Sequence, residues 1–338
     1  MEILPSPDLF TAVYRKGKAQ VVWASLVSDL ETPISAYLKL AGGAPNSFLL
    51  ESVVSGEKKD RYSFIGVRPD LLWRCRRAGS FINRTALSDP ENFQKQKAAP
   101  LDELRKLVEE CRIDLPEGFP PIPISAGLFG YLGYDMVRHI ERIPDTKPDA
   151  LGLDDAILIR PGLMAVFDAI DNRITLITPV YPDGKTDAAQ ALRQAQEVLE
   201  DAVKRLKQPL NEAPAPAAVP PKDFEKQVKS NTTVGQFCDM VKKAKEYIFA
   251  GDVFQVVLSQ RFSVPFPLPP FALYRSLRRL NPSPFLFFLD FGDFQLVGSS
   301  PEILVRLREG KVTIRPIAGT RPRHQSNRTD KELAADLL

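Results

Sequence analysis

Residues 211–221, NEAPAPAAVPP, constrain this chain more than any other stretch. Pro214, Pro216, Pro220 and Pro221 each fix φ and lack an N–H. The stretch can therefore neither continue a helix nor lie in a central strand, and its alternation with alanine favours an extended linker. The reading is two domains, 1–210 and 223–338, joined by a Pro/Ala linker at 211–222. Before the linker, Leu192, Ala195, Leu199 and Leu206 recur near helical spacing, which predicts a helix over 186–208. After it, Thr233 and Gln236 have capping-box spacing. Val234, Phe237, Val241, Ala244 and Ile248 form an apolar stripe that ends at Gly251.

Most of the remainder reads as strand. Short apolar runs at 47–54, 61–67 and 71–76 are separated by Gly, Lys, Asp and Pro. Residues 157–167 and 173–178 form a pair around the turn residues Asp171 and Asn172. Beyond the linker, 254–264, 285–290, 294–297, 303–307 and 311–315 follow as successive strands, with Gly292-Asp293 and Glu309-Gly310 as tight turns. Strands come in runs and do not alternate strictly with helices. The expected fold class is α+β, with layered antiparallel sheets flanked by helices.

Composition excludes several classes. Against 42 Asp and Glu stand 45 Lys and Arg, so there is no basic footprint for nucleic acid. Cys75, Cys111 and Cys238 form no CxxC pair, which suits a reducing compartment without disulfides or a zinc site. With only His139 and His324, a Ser-His-Asp hydrolase or a multi-histidine metal site has little material. Residues 1–10 do not read as a signal peptide, lacking a basic segment followed by an apolar run, and the longest apolar runs are too short to cross a bilayer. The expected location is the cytoplasm.

Four segments carry candidate chemistry. In 315–323, RPIAGTRPR, glycine lets backbone N–H groups approach a ligand, threonine adds a hydroxyl, and arginine can fork onto a carboxylate; a surface turn with solvated arginines is the alternative. In 298–302, GSSPE, Glu302 stands just past a strand, either as a general acid or as an ordinary loop glutamate. The glycines of 127–138, GLFGYLGYDMVR, lack phosphate-loop spacing and read as close backbone packing. FLLES at 48–52 and NPSPFLFF at 281–288 combine apolar walls with polar anchors, the usual form of a small-molecule pocket, or else plain core strand.

Taken together, LLES, GYLGYD, FQVVLSQRF, NPSPFLFF, GSSPE and PIAGTRPR resemble, in order and spacing, the chorismate-utilising enzymes, and most closely anthranilate synthase component I. The resemblance covers 48–338. It implies a lyase in which two layered sheets enclose the site, and which converts chorismate to anthranilate and pyruvate. It also implies a Mg²⁺ cofactor and ammonia from a glutamine amidotransferase subunit in a hetero-oligomer. By position Gly319 and Thr320 bind chorismate through its carboxylate, and Glu302 is the acid that helps the ring hydroxyl leave. Gln255 stands where water-using relatives carry a lysine base. Ser52, Pro284, Phe285 and Leu286 stand where tryptophan binds as feedback inhibitor, and such a ligand would bridge the two domains. Phe285 and Leu286 replace the usual Tyr and Met, which weakens that site.

Aminodeoxychorismate synthase shares these motifs but uses a lysine nucleophile where this chain has Ala318. The other alternative is a non-catalytic, tryptophan-binding fragment. Residues 329–338, TDKELAADLL, open an amphipathic helix and stop inside it. The expectation is a truncated chain, with the metal ligands beyond Leu338, that is inactive alone.

Overall fold

The capping and stripe signals on both sides of the linker form helices in the computed structural model, which describes residues 1–52, 61–77, 79–210, 224–317, 319, 321–323 and 328–337. The expected linker lies outside the described residues. The chain divides into two compact units, residues 1–210 with 274–338, and residues 211–273.

The first unit opens with α1 (Pro7–Tyr14), β1 (Gln20–Val27), α2 (Pro33–Ala41), β2 (Ser47–Glu51), β3 (Tyr62–Arg76), β4 (Gly79–Asn83) and β5 (Gln94–Lys95). It continues with α3 (Pro100–Glu110), β6 (Phe129–Leu132), a 3-10 turn at Tyr134–His139, β7 (Ala156–Asp168), β8 (Arg173–Val180) and α4 (Ala188–Leu206). The second unit holds α5 (Phe224–Gln227), β9 (Lys229–Ser230), α6 (Val234–Ala250) and β10 (Phe262–Ser263). Helix α7 (Pro270–Leu280) then returns the chain to the first unit, followed by β11 (Phe285–Asp290), β12 (Gln295–Ser300), β13 (Arg306–Arg308), β14 (Lys311–Thr313) and α8 (Asp330–Leu337).

The α+β class holds, with a ten-stranded antiparallel sheet in the order β1-β8-β7-β3-β2-β11-β12; β6 pairs with β7, β4 with β3 and β5 with β4. Strands β3 and β7 pair along nearly their whole length and run through both regions of the sheet. The first half of β3 meets β2 and its second half meets β4. Likewise the start of β7 meets β6 and its end meets β8. Val21, Trp23, Met164 and Ile177 from one region share a core cluster with Leu72, Phe129, Ile157 and Ile159 from the other. Alternation sends Leu71, Trp73 and Cys75 to the opposite face, against Leu107 and Cys111 at α3.

The sequence reading breaks this strand at Arg68-Pro69-Asp70. The structure carries it through as one element with a bulge, Arg68 taking φ 56° and the pairing with β7 shifting register between Pro69 and Leu71. Residues 254–264 depart further from expectation: only Phe262–Ser263 pairs, with Lys229–Ser230, and Phe254 and Val257 are exposed. Apolar alternation makes a strand only where a partner strand lies alongside, and β9 offers two residues.

The expected 223–338 domain is not one of the compact units. Strand β11 pairs with β2 on one side and β12 on the other, so these two strands join the N-terminal sheet, while β13 and β14 form a two-stranded sheet of their own in the same unit. Two of the glycines of 127–138 serve close backbone packing: a Cβ on Gly130 would stand 1.9 Å from the Ile157 carbonyl oxygen and one on Gly133 2.8 Å from that of Asp155, whereas Gly127 has open space.

Gly66 has a similar constraint. It pairs with Phe48, whose ring lies where a Cβ would be, 2.2 Å away, and that ring stacks on Phe129 with centroids 4.5 Å apart. Gly66→Val is expected to displace the stack and lower stability by about 2 kcal/mol. A urea melt of the chain checks this; an unchanged midpoint would show that the ring moves aside freely.

Candidate functional site

The end of β2 concentrates polar groups in an otherwise apolar strand. Glu51 is 4% exposed and points its carboxylate at α7. There Tyr274 donates its hydroxyl to Oε2 at 2.6 Å, while Arg278 donates Nε to Oε2 at 2.9 Å and Nη2 to Oε1 at 3.1 Å. Tyr274 and Arg278 are four residues apart, one helical turn, so both reach the same carboxylate. Burial, then the neighbouring Glu51 charge, pushes the Tyr274 phenol above the ordinary tyrosine range. In the sequence Glu51 is only one of the polar residues of FLLES, and no helix is expected at 270–280. The i, i+4 pairing of Tyr274 with Arg278 in PFALYRSLRRL was the available signal.

The next residue, Ser52, donates its hydroxyl to the Pro284 carbonyl at 2.7 Å. Leu286 pairs with Glu51 and is buried, whereas Phe285 is 41% exposed. The structure thus brings Ser52, Pro284, Phe285 and Leu286 together, on adjacent strands of one unit. The expectation that a ligand between them would bridge two domains is corrected, because β11 is part of the N-terminal sheet. The preceding loop is fastened to the far strand as well: Ser283 donates to the Ser300 carbonyl and Ser299 to the Asn281 carbonyl at 2.8 Å.

Glu302 follows β12 on the surface. Its Oε1 accepts the Ile317 backbone N–H at 2.8 Å, which places it beside the loop carrying Gly319. Gly319 is exposed, and Thr320 lies outside the described residues. The nearby arginines do not point at an open site: Arg321 pairs with Asp336 at 2.7 Å and Arg323 with Asp330 at 3.7 Å, both on α8. Gln255 is exposed in an irregular stretch of the second unit.

Among the described residues no group of three or more His, Cys, Asp or Glu side chains could hold a metal ion. No described helix is long and apolar enough to cross a membrane. A cleft of about 730 Å³, lined in part by Lys18, Arg84 and Tyr181, contains none of the expected site residues. Two of its arginines are already paired, Arg160 with Asp70 at 2.7 Å and Arg84 with Glu110 at 2.6 Å.

Glu51→Gln leaves Arg278 without its counter-charge. With the arginine about one-third exposed, the expected loss is on the order of 2 kcal/mol in a denaturant titration. The raised phenol adds a pH signature. The folded state holds the Tyr274 proton more tightly than the unfolded chain, so its contribution is complete below pH 10.0 and declines as pH rises beyond it. Tyr274→Phe should shallow the alkaline fall in stability; an unchanged slope would remove Tyr274 from that titration.

The chorismate binding enzyme pattern matches residues 58–338. The chain is 48% identical over 340 aligned residues to anthranilate synthase component 1 of Cereibacter sphaeroides, covering 99% of this chain and 66% of that one. To the Thermus thermophilus protein of the same name it is 40% identical, covering 93% of this chain and 63% of that one. The crystal structure of anthranilate synthase component I from Streptococcus pneumoniae superposes with a TM-score of 0.61 at 28% identity, over 92% of this chain and 63% of that one. The chain thus spans about two thirds or less of the length of these relatives. On the match over 58–338, the chain belongs to the chorismate binding enzyme family.

Proposed function

We propose that this protein takes part in forming anthranilate and pyruvate from chorismate, as a cytoplasmic tryptophan-pathway lyase. The observation that carries the reading is the 48% identity, along 99% of this chain, to a protein named anthranilate synthase component 1. The backbone at Gly319 and the hydroxyl of Thr320 bind the chorismate carboxylate. Glu302, tied by its carboxylate to the same loop, protonates the departing ring hydroxyl. Gln255 offers no base to activate water, so ammonia is the nucleophile. Ala318 offers no amine for covalent attack, which disfavours aminodeoxychorismate as the product.

Ammonia comes from a glutamine amidotransferase partner in a hetero-oligomer. Tryptophan inhibits at Ser52, Pro284, Phe285 and Leu286. The cofactor of this reading is Mg²⁺, for which the described residues supply no fitting cluster of acidic, histidine or cysteine side chains.

The test is the protein at its natural length with chorismate, Mg²⁺ and ammonium, followed by anthranilate fluorescence. Glu302→Gln should bind chorismate normally and lose turnover by about 100-fold or more, because an amide cannot protonate a leaving hydroxyl. Near-normal turnover would remove Glu302 from the reaction, and aminodeoxychorismate as sole product would assign the folate-type activity. Ser52→Phe should abolish tryptophan inhibition while uninhibited turnover persists; equal inhibition of both forms would clear Ser52 of any effector role.

A further inference from the structure

The loop between α7 and β11 is held on two sides by different groups. On the β2 side Ser52 donates to the Pro284 carbonyl at 2.7 Å. On the β12 side the Ser283 hydroxyl, in a residue only 6% exposed, donates to the Ser300 carbonyl. Ser300 in turn uses its own hydroxyl on Glu302: it accepts the Glu302 N–H at 3.4 Å and donates to the Glu302 carbonyl at 3.3 Å. The Glu302 carboxylate then accepts the Ile317 N–H at 2.8 Å, two residues before Gly319. Hydrogen bonds alternate with covalent links along this route, and Ser283 stands in the middle, next to Pro284 in sequence and against Ser300 in space.

We propose that Ser283 is the positioning residue through which displacement of Pro284 from Ser52 shifts Glu302 and its loop. The proposal rests on the tryptophan reading above and adds to it a residue outside the effector and substrate positions named there. A ligand that displaces Pro284 from Ser52 acts on the chain next to Ser283, whose hydroxyl is fixed to the Ser300 carbonyl. The Ser283–Ser300 bond then carries that displacement to the turn holding the acid. An equilibrium is shifted in this way only if the two arrangements differ in ligand affinity, so the coupling is measurable as the separation of binding from inhibition.

The experiment compares wild type and Ser283→Ala, each at natural length with ammonium as nitrogen donor. Tryptophan binding is measured by calorimetry, and inhibition relative to each form's own uninhibited rate. The expected result is tryptophan affinity within about twofold of wild type, with half-inhibition displaced upward by about tenfold or more, within the usual range of coupling free energies. Ser300→Ala, which removes the next hydroxyl on a partly exposed strand, should uncouple in the same way, and it carries the test if Ser283→Ala does not fold. Parallel loss of binding and inhibition would make Ser283 part of the pocket and overturn the relay. Unchanged inhibition in both variants would overturn it as well, leaving the effector site in place. Absence of tryptophan binding by wild type would overturn the effector site and the relay together.

Discussion

The carboxylate of Glu51 lies almost wholly out of water, and a buried charge is tolerated only where it is paired and hydrogen-bonded. The partners here, Tyr274 and Arg278, come from a helix more than two hundred residues further along the chain. That requirement docks α7 on the end of β2 and delivers the chain that follows it, Asn281 onward, to the edge of the sheet. Strand β11 then finds β2 as its neighbour in register, Leu286 opposite Glu51. The loop motif and the GSSPE turn owe their places to this one attachment.

The sheet that receives them is organised by β3 and β7. Each is long enough to pair with different neighbours at its two ends, so two regions of the sheet close over one core cluster. The bulge at Arg68 to Leu71 lets β3 serve both regions, changing register where the neighbour changes from β2 to β4. Helices α2 and α4 contact this sheet along β3 and along β1 and β8, so the apolar faces of both helix and strand are buried.

The candidate site is a sequence of tethers and not a deep cavity. Ser52, Ser283, Ser299 and Ser300 hold backbone carbonyls of neighbouring segments or the turn at Glu302. Serine suits such work, since a short hydroxyl commits few rotamers and reaches a carbonyl at close range. The open cleft elsewhere shares no lining residue with this arrangement.

Local chemistry was legible in the sequence. Thr233 with Gln236 forms the capping box, Gly251 takes φ 82° at the helix end, and Leu192, Ala195, Leu199 and Leu206 are the buried face of α4. These signals act within a few residues, where spacing and side-chain chemistry suffice. The motifs that pointed to the family were legible for the same reason, each being a short run of fixed residues. The sequence could not show that apolar residues 254–264 would lack a partner strand, or that Pro69 would sit inside a bulged strand. Nor could it show that Arg321 and Arg323 would be taken up by α8, or that β11 and β12 would join the N-terminal sheet. Those outcomes depend on which distant segments meet. A strand, a buried carboxylate or an arginine is completed by a partner that local pattern does not specify, and only the tertiary structure chose Arg278 for Glu51.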